Sequence, residues 1–198
     1  MRDKILYTAG EMFLNLGFKS VTMDDIAKEI GASKKTIYTH FKNKTELVQE
    51  VTSSLFCMIC DGIDLIHEQQ KNPILELFEI KKFVMLHLKD EKSSPQYQLQ
   101  KYYPKIYADL KAQQFEYMQK SIQENLHRGL ESGLFRKTID VGFISRIYFN
   151  GMIAIKDPSL FPLQKFSMNE LMDFYLEYHL RGICTEKGVG VLEKELKK

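Results

Sequence analysis

The sequence has no long apolar stretch and few cysteines. Its longest uncharged runs, such as residues 51–60 and 147–155, reach about ten residues, whereas a membrane-spanning helix needs about 20. We therefore expect no membrane partner. Three cysteines, an odd number, do not suit a disulfide framework, and no apolar segment follows the charged residues 2–4. These absences lead us to expect a cytoplasmic protein without a signal peptide.

Motifs of catalysis and cofactor binding are missing as well. We find no nucleophile elbow, Walker loop or HExxH pair, and Gly188 and Gly190 follow no predicted strand. Cys57 and Cys60 stand inside a predicted helix without a second pair for zinc, so two small buried side chains are the favoured interpretation, with a thiol sensor as the alternative. The sequence therefore predicts no metal site, no cofactor and no enzyme; an all-helical enzyme stays an alternative without a catalytic constellation.

The hydrophobic pattern is helical almost throughout. Hydrophobic residues make up 44% of the chain, enough for a real core, and no run of β-branched residues alternates as a strand would. We predict an all-α fold of about nine helices. The helices with definite bounds cover residues 2–16, 23–30, 34–41, 45–70, 73–89, 104–132, 140–156 and 168–183. We expect a loop over residues 90–98 and a weakly ordered tail over residues 185–198.

Local capping signals define two short helices near the N-terminus. Thr22, Ser33 and Asn43 each precede a predicted helix, and Asn43 is followed by Glu46 in the spacing of a capping box. Gly31 ends the first short helix, which suits a glycine-containing turn. Two short helices joined in this way and buttressed by a longer first helix predict a helix-turn-helix.

Positive charge is concentrated in the same region. Residues 1–47 carry eight basic and six acidic side chains, whereas the remaining 20 of each sign balance over the rest of the chain. Residues 33–44 hold four lysines and no acid. This asymmetry indicates a polyanionic partner better than the net charge of +2 does.

Three motifs carry a resemblance to a known family. Residues 22–27 read TMDDIA, residues 31–44 read GASKKTIYTHFKNK, and Glu46 and Leu47 follow. Together they resemble the DNA-binding signature of the tetracycline-repressor (TetR) family over about 45 residues. Beyond residue 50 the likeness rests on the number and length of the helices and on the GLFR step at residues 133–136.

The resemblance implies an all-helical homodimer with two domains. Residues 1–46 would form the three-helix DNA-binding domain for a double-stranded operator. Residues 47–198 would form the larger helical domain, which binds a small-molecule effector and dimerises through the last two long helices. In a bacterial cell such a regulator associates with the nucleoid when bound to DNA.

The resemblance also indicates which side chains meet DNA. The start of the third helix would approach base edges or phosphates, and the later residues and Lys44 would grip phosphates. The predicted DNA-binding residues are Thr22, Ser33, Lys34, Lys35, Thr36, Tyr38, Thr39, His40 and Lys44. Family members often carry Gly or Pro where Lys35 stands, so the operator sequence is not predicted.

Surplus apolar surface near the C-terminus favours a second copy of the chain as partner. Residues 141–155 are apolar nearly all round, and such a helix has to be covered on several sides. In the last long helix one stripe comprises Leu171, Tyr175 and Tyr178, and another comprises Met172, Leu176, His179 and Ile183. We expect a four-helix interface about a two-fold axis, with a thicker monomer core as the alternative.

Aromatic and methionine side chains crowd the middle of the chain. At helical spacing most would be core, but the resemblance implies a cavity among the fourth to eighth helices, which would suit a flexible, largely apolar effector. The predicted ligand-binding residues are Phe83, His87, Tyr103, Tyr107, Phe115, Met118, Tyr148 and Met152. Asn150 is a further polar anchor. The effector stays unidentified, and control by a protein partner or by cysteine oxidation remains open.

Overall fold

The computed structural model describes residues 1–89 and 94–197, which form ten α-helices. Their bounds are α1 Arg2–Leu16, α2 Met23–Ile30, α3 Lys34–His40, α4 Lys44–Glu68, α5 Pro73–His87, α6 Pro95–Tyr102, α7 Pro104–Glu131, α8 Val141–Ala154, α9 Met168–Ile183 and α10 Glu186–Glu195. The all-α prediction is confirmed. In the described ranges, extended pairing is limited to an isolated antiparallel bridge between Phe135 and Cys184.

The eight predicted helices agree with the observed bounds to within two residues, but two further helices were missed. Helix α6 begins inside the predicted loop 90–98, of which residues 90–93 lie outside the described residues. It forms because Leu99, 4% exposed, packs into the core of the N-terminal helices. The fold therefore has one helix more than expected before α7.

The C-terminal tail is ordered, so the expectation of weak order was wrong. Thr185 caps α10 through the backbone N–H of Gly188, and its own backbone N–H donates to the carbonyl oxygen of Leu134 at 2.9 Å. Leu192 is fully buried in the same cluster as the side chains of α5 and α9. Tertiary packing thus stabilises a segment whose composition suggested a frayed end.

The first core cluster lies among α1, α2, α3 and the start of α4. Its side chains include Ile5, Phe13, Ile26 and Ile37, all fully buried. Ile106 of α7 joins the cluster from the C-terminal part of the chain. The helix-turn-helix therefore rests on a core that helices α6 and α7 complete.

The larger part of the chain packs around α7. Helices α5, α8, α9 and α10 contribute to a second cluster, and a third one links the end of α5 with Ile155 and the start of α9. Within residues 1–89 and 94–197, no helix combines the length and apolar character needed to cross a membrane. One helix, α4, runs from the first core cluster into the wall of the larger helical body.

Most of the apolar surface predicted as surplus on α9 is core. Leu171, Met172 and Leu176 are 2–3% exposed, and the full buried set adds His179 and Ile183. The large apolar side chains exposed on α9 are Phe174 and Tyr178, one helical turn apart. The sequence pattern located an apolar helix correctly and included the exposed Tyr178, but it missed Phe174 and counted core residues such as Leu171 as surplus surface.

Candidate DNA-binding surface and effector cavity

The turn between α2 and α3 is fixed by local hydrogen bonds. The backbone N–H of Asp25 donates to the Thr22 hydroxyl, and the Asp25 carboxylate accepts from the backbone N–H of Thr22 at 2.8 Å. The Thr22 hydroxyl also donates to this carboxylate at 2.7 Å, and this hydrogen bond, followed by the one from the Thr22 backbone N–H, lowers the pKa of Asp25. Gly31 ends α2 with φ of 69°, a left-handed conformation that glycine adopts without strain. The entry to α3 is therefore set by sequence-local chemistry.

Helix α3 has one face anchored and one face open to solvent. Ser33 caps it by accepting from the backbone N–H of Thr36, and Ile37 on α3 and Phe41 just after it are 0–1% exposed. The exposed residues of the helix are Lys34, Lys35, Tyr38, Thr39 and His40. Five of the nine predicted DNA-binding side chains thus lie on the outer surface of a well-anchored helix.

Several of the predicted side chains already have partners within the chain. The Lys34 ammonium donates to Asp24 of α2 at 2.8 Å, an ion pair on the surface. This carboxylate raises the pKa of Lys34. The hydroxyls of Thr36 and Thr39 are hydrogen-bonded within α3, to the Ser33 hydroxyl and to the Thr36 carbonyl oxygen. Lys35, Tyr38 and His40 therefore present the freest polar groups for an incoming ligand.

Lys44 is placed differently from the other predicted residues. Its ammonium is half-buried and donates to the carbonyl oxygen of Phe18, and it lies 5.9 Å from the ring centroid of Phe13. Burial lowers its pKa. In this state Lys44 ties the start of α4 to the loop after α1, so its predicted contact with phosphate would need the side chain to turn outward.

The predicted cap of α4 is present with one change. Asn43 accepts from the backbone N–H of Glu46 at 2.9 Å, as expected. The Glu46 carboxylate accepts from the backbone N–H of Lys42, one residue before the position that a capping box uses. Helix α4 is therefore joined to α3 by a short, hydrogen-bonded link.

A cavity of about 200 Å³ lies among helices α4 to α9. Four of the predicted ligand-binding residues line it, namely Tyr107, Met118, Tyr148 and Met152. Most other lining side chains are aliphatic, and Leu14 and Phe18 bring the N-terminal helices into contact with the same space. The cavity can therefore hold a small, largely apolar molecule directly beside the DNA-binding helices.

The other four predicted residues lie outside the cavity lining. Phe83 packs against Gly62, and the His87 ring stacks near Phe83 with centroids 4.2 Å apart. Tyr103 contacts the Phe18 ring within the first core cluster, and Phe115 packs edge-on against Phe149. Asn150 is exposed on α8. Helical spacing could not separate aromatic core residues from those that face an internal space.

Sequence reasoning missed most polar residues of the cavity. They are Thr52, Lys81, Gln96, Gln114, Tyr117, Ser121 and Lys156. Lys81 donates to Asp173 at 2.8 Å, and the Tyr117 hydroxyl donates to Asp64 at 2.8 Å. On a linear sequence such residues look like the ordinary polar face of an amphipathic helix, so no local signal identified them.

A buried polar cluster adjoins the cavity at Ser121. The fully buried Glu76 accepts hydrogen bonds from His67, Asn125 and the Arg128 guanidinium. Burial by itself would raise the pKa of Glu76, but these three donors outweigh it and lower the pKa. The other ring nitrogen of His67 lies 2.7 Å from the Ser121 hydroxyl. The cluster links α4, α5 and α7.

The cysteines have little of the character of a thiol sensor. Burial, together with the nearby Asp64 and other negative groups, raises the pKa of Cys60 to about 12, so its thiol stays protonated at neutral pH. Cys184 is buried, and burial raises its pKa to about 11. Cys57 is exposed and Cys60 is only half-buried, so the interpretation of both as buried side chains was wrong. The raised pKa values give no support to Cys60 or Cys184 as a sensing thiol.

An anchored, solvent-exposed second helix in a helix-turn-helix is the arrangement that enters the major groove of DNA. Joined to a helical body with an internal cavity, it defines a DNA-binding transcriptional regulator. Residues 5–51 match the family model described as bacterial regulatory proteins, tetR family.

Full-length relatives agree with this class. The chain is 27% identical over 194 residues to the HTH-type transcriptional repressor KstR2 of Mycolicibacterium smegmatis, covering 94% of this chain and 92% of that protein. The solved KstR2 of Mycobacterium tuberculosis has 24% identity and a TM-score of 0.57, covering 93% and 95%. The Thermus thermophilus repressor FadR, solved in complex with lauroyl-CoA, has 19% identity and a TM-score of 0.59, covering 94% and 96%. Residues 5–51 therefore match the tetR family, and the similarity to a transcriptional repressor over 94% of the chain supports a DNA-binding regulator and not an enzyme.

Proposed function

We propose that the protein is an effector-responsive repressor, which binds a near-palindromic operator as a homodimer and is released by a small, largely apolar effector. The observation that carries this proposal is the course of α4. The helix begins one residue after its cap at Asn43, next to α3, and continues into the wall of the internal cavity. A molecule in the cavity would therefore contact the same continuous helix whose first residues are joined to α3.

The DNA contact would be made mainly by the exposed face of α3. Lys35, Tyr38 and His40 are exposed on one short helix and would be the first to meet phosphates and base edges. On binding DNA, Lys34 would leave its ion pair with Asp24 and contact the DNA instead. Thr22, Ser33, Thr36 and Thr39 lie close by as smaller hydrogen-bonding groups, and Lys44 would join after leaving the Phe18 carbonyl oxygen.

The homodimer is supported by apolar side chains exposed on two neighbouring helices. Phe143 and Ile147 on α8 are 61% and 45% exposed, and Phe174 and Tyr178 on α9 are 61% and 77% exposed. Each pair is spaced by one helical turn, and α8 packs against α9. Two such faces form a continuous apolar surface that a second copy would cover as a four-helix interface.

The effector would occupy the cavity among α4 to α9. Its walls are mainly aliphatic, aromatic and methionine side chains, which suit an apolar molecule. The repressor FadR was solved with lauroyl-CoA, so this fold can accommodate a ligand with an acyl chain. We propose residues 1–46 as the DNA-binding domain and residues 47–198 as the effector-binding and dimerisation domain, acting in the bacterial cytoplasm.

Titration of the purified protein against DNA tests the proposal. Fluorescence anisotropy with the DNA upstream of its own gene should show tighter binding than random DNA of equal length, with affinity falling linearly on a logarithmic salt scale. Lys35→Ala should weaken binding, whereas Lys120→Ala on the exposed face of α7 should leave it unchanged. Equal affinity for both DNAs at every salt concentration would refute sequence-specific repression.

A further inference from the structure

Ser121 is a buried polar side chain of the cavity whose orientation is fixed by hydrogen bonds to other side chains. It is 7% exposed and lines the cavity from α7. Behind it, His67 Nε2 lies 2.7 Å from Ser121 Oγ, and His67 Nδ1 lies 2.9 Å from Glu76 Oε1. The hydroxyl is therefore backed by a hydrogen-bonded chain that ends in a fully buried carboxylate.

The direction of each hydrogen bond follows from charge. The Glu76 carboxylate accepts from Arg128 and Asn125, so it can only accept from His67 as well, and the hydrogen of the imidazole sits on Nδ1. Arg128 already balances the charge of Glu76, and a neutral imidazole leaves the buried cluster without net charge. Nε2 then carries a lone pair, and the Ser121 O–H donates to it.

Two other hydroxyl groups of the cavity, like that of Ser121, donate their hydrogen to an acceptor within the protein. Thr52 donates to the carbonyl oxygens of Val48 and Gln49, and Tyr117 donates to Asp64 and the Cys60 carbonyl oxygen. Their protons therefore point into the protein framework. Like the Ser121 hydroxyl, the hydroxyls of Thr52 and Tyr117 can therefore only accept a hydrogen bond from a molecule in the cavity.

The order serine, histidine, carboxylate is also that of a hydrolytic triad, but the surroundings differ. Ser121 lies in the interior of α7, where backbone N–H groups are hydrogen-bonded within the helix. They cannot stabilise an oxyanion beside the hydroxyl. The cluster is therefore suited to recognition rather than to acyl transfer.

We propose that Ser121 is the polar anchor of the effector cavity and that the effector is an apolar molecule carrying a hydroxyl group, which donates a hydrogen bond to Ser121 Oγ. This inference rests on the effector-binding part of the proposed function. An acceptor-only group, such as a ketone, would place its oxygen against the lone pairs of Ser121 and gain no hydrogen bond there. At Ser121 the cavity would thus favour an alcohol over the corresponding ketone.

Calorimetric titration of the DNA-free protein with 2-octanol and 2-octanone tests this inference, because the two probes share one carbon skeleton. A cavity of about 200 Å³ is somewhat larger than the roughly 150 Å³ apolar cavity that accepts benzene, which suits eight carbons. We expect the wild type to bind 2-octanol about five-fold more tightly than 2-octanone, the scale of one hydrogen bond. In Ser121→Ala this ratio should fall to about one.

The matched control is Ser145→Ala, another buried serine, which lies on α8 outside the cavity lining and donates to Gln119. It should keep the wild-type ratio. If Ser121→Ala does not fold, Ser121→Cys gives the same readout because a thiol is a weak acceptor. An unchanged ratio in the folded Ser121 variant, a wild type that binds both probes equally, or a wild type that binds neither, would overturn the inference.

The outcome is separable from that of the proposed function. A protein that binds 2-octanol through Ser121 but keeps its DNA in the presence of saturating alcohol would retain this anchor and contradict release by this class of effector. A protein that releases DNA when another class of molecule binds, but does not bind 2-octanol, would support the proposed function and contradict the Ser121 anchor.

Discussion

Lys34 Nζ and Asp24 Oδ2 lie 2.8 Å apart, so the first lysine of α3 is bound by a carboxylate of α2 in the DNA-free protein. Both side chains are more than half exposed, so water screens the pair and its contribution to stability is small. Its effect on DNA binding differs, because a phosphate must compete with Asp24 for Lys34 and is repelled by the same carboxylate.

Asp24→Asn should therefore strengthen DNA binding. The change frees Lys34 and removes a negative charge from the binding surface, and we expect affinity to rise about three- to ten-fold at low salt, with a steeper salt dependence. Glu29→Gln on the same helix serves as the control, since it removes an equal charge without freeing Lys34. Anisotropy titrations that give both variants the same affinity would show that the ion pair does not restrain Lys34.

Gly17→Ala should destabilise the fold. Gly17 has φ of 87° and ψ of 149°, a region open essentially to glycine alone, and an added Cβ would lie 2.3 Å from Nε2 of Gln98 on α6. We expect a loss of about 1–3 kcal/mol in the free energy of unfolding, measured by urea titration. Gly190→Ala in α10 meets open space and should be neutral or slightly stabilising. Equal stabilities of the two variants would contradict this account of the α1–α6 contact.

Stability should fall on mild acidification because of His179. Burial lowers its pKa to about 4, whereas the unfolded chain has the ordinary value of 6.5. Between these values the unfolded chain binds a proton that the folded chain does not, so stability decreases as the pH falls from 6.5 to 4. The loss reaches about 3 kcal/mol at most.

The matched variants are His179→Phe and His127→Phe. The first should flatten the pH dependence of the unfolding free energy over that window, since Tyr148 already packs against an aromatic ring at this position. The second changes an exposed histidine of α7 and should leave the pH dependence as in the wild type. A wild-type slope retained in His179→Phe would assign the acid sensitivity to other groups.

Charge introduced on the exposed faces of α8 and α9 should separate the proposed dimer. Phe174→Glu and Tyr178→Glu place a carboxylate where a second copy would bury an aromatic ring, and we expect the dissociation constant to rise at least about 100-fold. Analytical ultracentrifugation measures it. Leu86→Glu, an equally exposed apolar site on α5, should not change it. A wild type that sediments as a monomer at micromolar concentration would remove the basis of the homodimer.

Local chemistry made the DNA-binding helices predictable from sequence. Thr22, Ser33 and Asn43 each cap the helix expected to follow them, because a cap depends on residues three positions apart. Helices α6 and α10 were missed because their stability depends on long-range burial of side chains such as Leu99 and Leu192. A short polar segment gives no sign of such burial.

The cavity was less predictable than the DNA-binding surface for the same reason. Tyr107, Met118, Tyr148 and Met152 were expected to line it and do, whereas the other predicted aromatic side chains pack against neighbouring helices. No local sequence pattern marks Glu76 as a buried residue. Its burial depends on Arg128, 52 residues further along the chain. Which helical face meets which neighbour is decided only when the helices pack.

Helix α4 has 25 residues without interruption, which corresponds to a rod of about 37 Å. For a rod of that length, a tilt of about 5° about one end moves the other end by about 3 Å, close to the length of a hydrogen bond. Two such displacements in opposite directions, one from each protomer, would add. In the proposed homodimer, an adjustment in the cavity no larger than the rearrangement of a few side chains would then bring the pair of recognition helices out of register with the helical repeat of DNA.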